Sequence, residues 1–329
     1  MVEQAVEKTK ESRYTVGKFF SEYGIVIVLV ALLFLFSSLS PQFLKTDNIL
    51  NILRQVALIG IISVGMTMVL LTAGIDLSVG SVMGVGTVST ALLMLSGMPY
   101  GLAMIIVLAV STGIGFLNGL MVTKLMIPPL ITTLGMMISL RGVAYLLTGG
   151  LPVFGFPGDI LFLGKGYILG IPVPVVIMAV VFVIGMLFLE KTRRGRYIYG
   201  VGGNEEATRL SGINVNRIKC LVYSCSGLLA GLAGIILLAR VNSGQPKAGD
   251  GYEMEVITAV VLGGVSISGG EGKLRFVIIG VLIMGVLSNG MILTNVQDYT
   301  QQVIKGLTLL AAVAFDRIMQ QRKAKMVTF

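Results

Sequence analysis

The sequence predicts an all-α polytopic membrane protein of about ten transmembrane helices. Three observations carry that reading. Apolar residues make up 55% of the 329 and charged residues only 12%, about half the charge of an average soluble chain. The apolar residues gather into ten runs, most of them long enough to cross a hydrocarbon core. The basic residues gather between those runs, most densely at 190–219, where Lys191, Arg193, Arg194, Arg196, Arg209, Arg217 and Lys219 fall within thirty residues.

The first run is 24–40, and Pro41 to Arg54 is a short polar segment with room for an amphipathic helical turn. The second run, 55–73, stops at Gly74-Ile75-Asp76. The third is 78–96, the fourth 101–123 and the fifth 127–148, the last opening at Pro128-Pro129. A Gly- and Pro-containing loop at 149–171 precedes the sixth run, 172–189, and the charged island. Runs seven to ten are 220–239, 254–268, 274–294 and 301–316, followed by a basic tail.

Basic loops stay on the cytoplasmic side of a membrane. With both termini inside, 18 of the 25 Lys and Arg fall in inner segments, so the expected topology is N-in/C-in. That gives a cytoplasmic segment 1–23, a transmembrane domain 24–316 with its cytoplasmic loop at 190–219, and a cytoplasmic tail 317–329. The same bias accounts for the net charge of +9 without a nucleic-acid partner. The N-terminal cations before the first run imitate a signal peptide, but Ser40-Pro41-Gln42 follows instead of a small-x-small site, so the first helix is expected to be uncleaved. Asn118-Gly-Leu-Met-Val-Thr and Asn289-Gly-Met-Ile-Leu-Thr echo one another on runs four and nine, which point in opposite directions. Two inverted five-helix halves would produce that echo.

The chain has no His, which removes imidazole acid–base chemistry and the usual zinc sites. Gly269-Gly-Glu-Gly-Lys-Leu274 lacks the glycine spacing and the Ser or Thr of a phosphate-binding loop, so it reads as a turn. Within the island, Asn204 is placed to cap a helix with Glu205 and Glu206 in its first turn, favourable at the positive end of the helix dipole. Gly212 is placed to end it. Asp76 reads as a cap for the third run or as a group beside a solute path, since a carboxylate next to an apolar span needs water or a protein partner. Ser78, Asn118, Thr132, Thr133, Glu255 and Ser266 are further polar candidates for a path or gate. Arg141 on run five calls for an acidic partner across the bundle or for snorkelling.

Several segments carry a resemblance. Glu206-Ala207-Thr208-x-x-x-Gly212 resembles the Glu-Ala-Ala-x-x-x-Gly coupling loop of ABC importer permeases, with Thr208 departing from Ala. Together with Gly74-Ile-Asp-Leu-Ser-Val-Gly80, Gly195-Arg-Tyr-Ile-Tyr199, Gln245-Pro-x-Ala-Gly-x-Gly-Tyr252 and Gly263-Gly-Val-Ser-Ile-Ser-Gly-Gly270, it is similar to the ribose-type sugar permeases. The resemblance implies a homodimer in the bacterial inner membrane, with no catalytic residues and no cofactor of its own. ATP and magnesium would be held by a separate cytoplasmic ABC ATPase docked on Asn204, Glu205, Glu206, Ala207, Thr208, Arg209 and Gly212. A periplasmic or lipid-anchored sugar-binding protein would deliver the cargo, a monosaccharide with ribose the first expectation. Other sugars, autoinducer-2, branched-chain amino acids and ion-coupled transport stay open at this stage.

Overall fold

The computed structural model describes residues 24–327, and the basic segment 1–23 lies outside the described residues. The chain folds as a helical bundle. Helix α1 is Gly24–Leu39. Then come α2 (Thr46–Leu71), α3 (Val79–Leu95), α4 (Tyr100–Lys124) and α5 (Pro129–Thr148). Proline at the first position starts α5, where its missing N–H costs nothing, and left-handed Gly149 ends it. The next connection holds the one-turn α6 (Phe162–Lys165) and a two-stranded antiparallel ribbon, β1 (Tyr167–Ile168) with β2 (Ile171–Pro172). Helices α7 (Val173–Lys191), α8 (Arg193–Gly203), α9 (Glu205–Leu210) and α10 (Val215–Val241) follow. The chain ends with α11 (Tyr252–Leu262), α12 (Leu274–Leu293) and α13 (Asp298–Val327).

Six helices among the described residues are long and apolar enough to cross a membrane: α2, α4, α5, α7, α10 and α12. Their burial sorts them into layers. The apolar stretch of α2 is 83% buried, against 22% for α5 and 28% for α4 and α7. Helix α10 packs on α2, α3 and α4, and α2 packs on α7, α11 and α12, so α2 and α10 form the centre. Small residues allow the close approaches. A Cβ on Gly65 would meet the Ser226 backbone, and one on Gly119 the Cys220 backbone. Helices in lipid associate through this kind of backbone proximity.

The structure differs from the sequence expectation at four places. The second run begins at Thr46, because the polar segment 46–54 continues the helix and is no separate turn. The island holds two helices, α8 and α9, between the end of α7 and the first turns of α10, where a loop with one helix was expected. The tail beyond residue 316 continues α13 to Val327. The eighth run, read as 254–268, is an eleven-residue helix, about 16 Å long and half a bilayer core. Positive φ at Gly264, Gly269, Gly270 and Gly272 prevents its continuation.

The segment before α11 makes up the missing length. From the end of α10 it folds back along α3: Gly244 lies against Thr87 and Ala91, Ala248 against Gly84, and Gly249 against Gly80. Thr87 Oγ1 donates to the Gln245 carbonyl at 3.0 Å. Glycines at 80 and 84 leave no Cβ to obstruct this descent.

Candidate functional site

Two groups of residues stand out, a helical loop on one side of the bundle and a polar network inside it. The loop is built on α8, α9 and the start of α10. Asn204 caps α9: its side chain accepts from the Ala207 amide at 2.9 Å. Gly212, with φ at +81°, ends the turn beyond α9, and Asn214 caps α10 through the Arg217 amide.

The short helix α9 has two distinct faces. Glu205 points inward, bonding Lys219 of α10 at 2.6 Å and Arg209 at 2.8 Å. Burial alone would raise the Glu205 carboxyl. The hydrogen bonds and charges of Lys219 and Arg209 outweigh it and hold the group below the usual glutamate value. Thr208 is buried on the same side and donates to the Asn204 carbonyl. Glu206, Ala207 and Leu210 face outward, Leu210 at 80% exposure. Leu210 was not among the residues singled out from the sequence; its signal was a large apolar side chain in an otherwise polar loop.

Behind this loop sit the turns that close α2 and α11. A Cβ on Gly202 would overlap the Leu71 carbonyl and the Gly270 amide, and Tyr199 donates to the Gly272 carbonyl at 3.0 Å. The α8–α9 unit therefore rests on the end of α2 and on the α11–α12 turn together.

The polar network centres on Asp76, which is 1% exposed. Its Oδ1 accepts from the Ser78 amide at 3.0 Å and from Ser78 Oγ at 2.6 Å, and its Oδ2 accepts from Ser226 Oγ at 2.7 Å. Asn118 Nδ2 donates to Ser78 Oγ at 2.9 Å. Thr133 and Tyr223 both donate to the Ile75 carbonyl. Asp76 thus fixes the turn just before α3 and ties it to α10; the N-cap position of α3 is Ser78, so Asp76 holds the segment ahead of the helix and does not cap it.

Of the sequence candidates, Asp76, Ser78, Asn118 and Thr133 come together here. Thr132 turns back to the Ile127 carbonyl at the start of its own helix. Ser266 lies in the α11–α12 turn and accepts from Gln320 of α13. Glu255 pairs with Lys305 of α13. Sequence reading missed Ser226, one of two serines close together on the mostly apolar α10. Arg141 does pair across the bundle, bonding Glu253 at 2.9 Å and lying 3.1 Å from Asp250.

Known proteins give this architecture a family. Residues 48–313 match the family described as branched-chain amino acid transport system / permease component. A ribose import permease protein RbsC of Haemophilus influenzae is 43% identical over 96% of this chain and 99% of its own length. One of Bacillus subtilis is 44% identical over 94% and 97%. The L-arabinose transport system permease protein AraH of Escherichia coli is 39% identical over 95% of each. No solved structure matches the chain. With its apolar bundle and a match over most of its length, this chain is a multi-pass membrane protein and belongs to the branched-chain amino acid transport system / permease component family.

Proposed function

We propose that the chain is the membrane-spanning subunit of an ATP-driven ABC importer that carries a monosaccharide, ribose, into a bacterial cell across the inner membrane. The observation that carries the reading is the near full-length similarity, 43–46% identical, to permeases named for ribose import. The outward face of α9 supports the coupling half of it. An exposed apolar side chain beside an exposed carboxylate, on a short helix whose rear is pinned by ion pairs, is suited to seating in a partner protein.

In this reading the partner is a cytoplasmic ABC ATPase, which holds ATP and magnesium, while this chain has no catalytic residue and binds no cofactor. Nucleotide-driven closure of the ATPase pushes on Glu206, Ala207 and Leu210. The push reaches the ends of α2 and α11 through Gly202, Leu71 and Gly270. A second copy of the chain completes the path, and a periplasmic or lipid-anchored binding protein delivers the sugar. The full topology is ten spans, N-in/C-in, in two inverted halves, with α1, α3 and α11 as the short members among the described residues.

The test is uptake of labelled D-ribose into proteoliposomes holding this chain, its ATPase and its binding protein. Uptake that needs ATP and all three proteins is the expected result. ATP-dependent uptake of L-arabinose or L-leucine in place of ribose would overturn the substrate, and uptake indifferent to ATP would overturn the coupling.

A further inference from the structure

Three charged side chains meet where the descending segment turns into α11. Arg141 of α5 bonds Glu253 and lies beside Asp250, while the Lys305–Glu255 pair lies on another face of α11. The cluster is deep. A Cβ on Gly80, the second residue of α3, would collide with Glu253 Oε2 and the Gly249 carbonyl. From Gly80, α3 runs on to Leu95, a rise of about 22 Å in a hydrocarbon core of about 30 Å. The charges therefore sit well inside the span.

They are also open. At that depth the side chain of Arg141 keeps 30% of its exposure and that of Asp250 keeps 48%. A half-exposed carboxylate so far into a membrane cannot face hydrocarbon; it faces water or protein. Neither the helix that carries Arg141 nor the helix beyond α11 closes the space. Helix α5 packs on α3 and α4, and α13 packs on α11. Hydrogen-bonding capacity is left over as well. Glu253 is 5% exposed, yet its Oε2 has no partner, and Arg141 Nε, though 3.1 Å from Asp250, is not aligned to donate to it.

We propose that this notch forms part of the wall of the solute path and holds the adjacent hydroxyls of the passing sugar. This rests on the monosaccharide reading above and names its contact point. Carboxylates accept from neighbouring hydroxyls and a guanidinium donates to them in a planar fork. Because the charges already satisfy one another in part, the grip is weak, as a conduit requires. Asp76, enclosed by its own hydroxyl partners, lies apart from this contact.

The test uses the assembled complex with Cys220→Ser and Cys225→Ser, to which Asp250→Cys is added. A membrane-impermeant cationic thiol reagent should modify the Asp250→Cys thiol several-fold faster than a Val180→Cys thiol on the exposed face of α7. D-ribose presented on its binding protein with ATP should slow that modification, and L-leucine should not. Asp250→Asn should also lower ribose uptake several-fold, whereas a loss of fold would show instead as failure to assemble with the ATPase. An unreactive Asp250→Cys thiol overturns the proposal, and so does one whose reaction ignores ribose while the complex with Asp250 intact transports it. If the complex with Asp250 intact moves no ribose at all, the transport reading itself has failed, and the rate of thiol modification still reports whether the notch meets water.

Discussion

Gly270 donates its amide to the Leu71 carbonyl at 3.0 Å, joining the turn after α11 to the last residue of α2. Gly202 of α8 is packed against both partners so closely that no side chain fits between. Gly202→Ala should therefore push α8 off this joint. Overpacking costs about 1–3 kcal/mol, and backbone on both sides gives the methyl group nowhere to go. The expected outcome is a lower Tm in detergent together with ATP hydrolysis that no longer drives uptake. Gly203→Ala, where a Cβ meets nothing within 4 Å, is the matched control and should leave both unchanged.

The two faces of α9 predict two kinds of mutant. Glu206→Arg and Leu210→Asp alter outward groups, so the permease should insert and melt normally. Losing one contact worth about 1.4 kcal/mol weakens docking roughly tenfold. Titrating the purified ATPase against each variant would read that directly, and unchanged binding by both would remove α9 from the interface.

Glu205, on the inner face of α9, predicts a pH dependence. Its carboxyl is held below the usual glutamate value by Lys219 and Arg209 despite partial burial. A depressed folded value means that the tie is fully present above the unfolded value of about 4.5. It is lost as pH falls through the lower folded value. At this exposure each pair contributes no more than about 1 kcal/mol. The Glu205 carboxyl carbon, followed by NMR, should titrate below 4.5, and Lys219→Met should move it upward.

How far these features were legible in the sequence follows from how local they are. The α9 helix was readable because capping is a matter of neighbours: Asn204, two glutamates and Gly212 lie within nine residues. The local tie of Asp76 to Ser78 was readable for the same reason, although the N-cap of α3 is Ser78 itself. Ser226 and Asp250 were not, because their partners are far along the chain, at Asp76 and at Arg141. The length of α11 was misjudged because hydropathy treats Gly263 to Ser268 as continuous with the helix. Positive φ at Gly264 and beyond ends it instead.

The Asp76 network gives a graded series. Ser226→Ala leaves Oδ2 without its donor in a fully buried site, which costs about 1–3 kcal/mol. Asp76→Ala strands the Ser78 amide and both hydroxyls and should cost more. Asp76→Asn keeps an acceptor for Ser78 and should fall between the two. Thermal unfolding in one detergent would rank them, and a Ser226→Ala variant as damaging as Asp76→Ala would contradict the hydrogen-bond assignment.

Asn48 and Asn289 exchange two hydrogen bonds, each of 2.9 Å, across the α2–α12 contact. Their side-chain amides satisfy one another, and Asn48 also donates to the Phe43 carbonyl at 2.8 Å. Removing one side chain leaves the other partly unpaired, so Asn48→Ala and Asn289→Ala should each cost about 1–3 kcal/mol. The double variant strands no amide and should cost less than the sum. The resulting interaction term should lie near 0.5–3 kcal/mol for groups in direct contact. Strict additivity in the unfolding free energies would mean that the two amides do not act as a pair. Asn48→Ala should be the costlier single change, because it also leaves the Phe43 carbonyl without its side-chain donor.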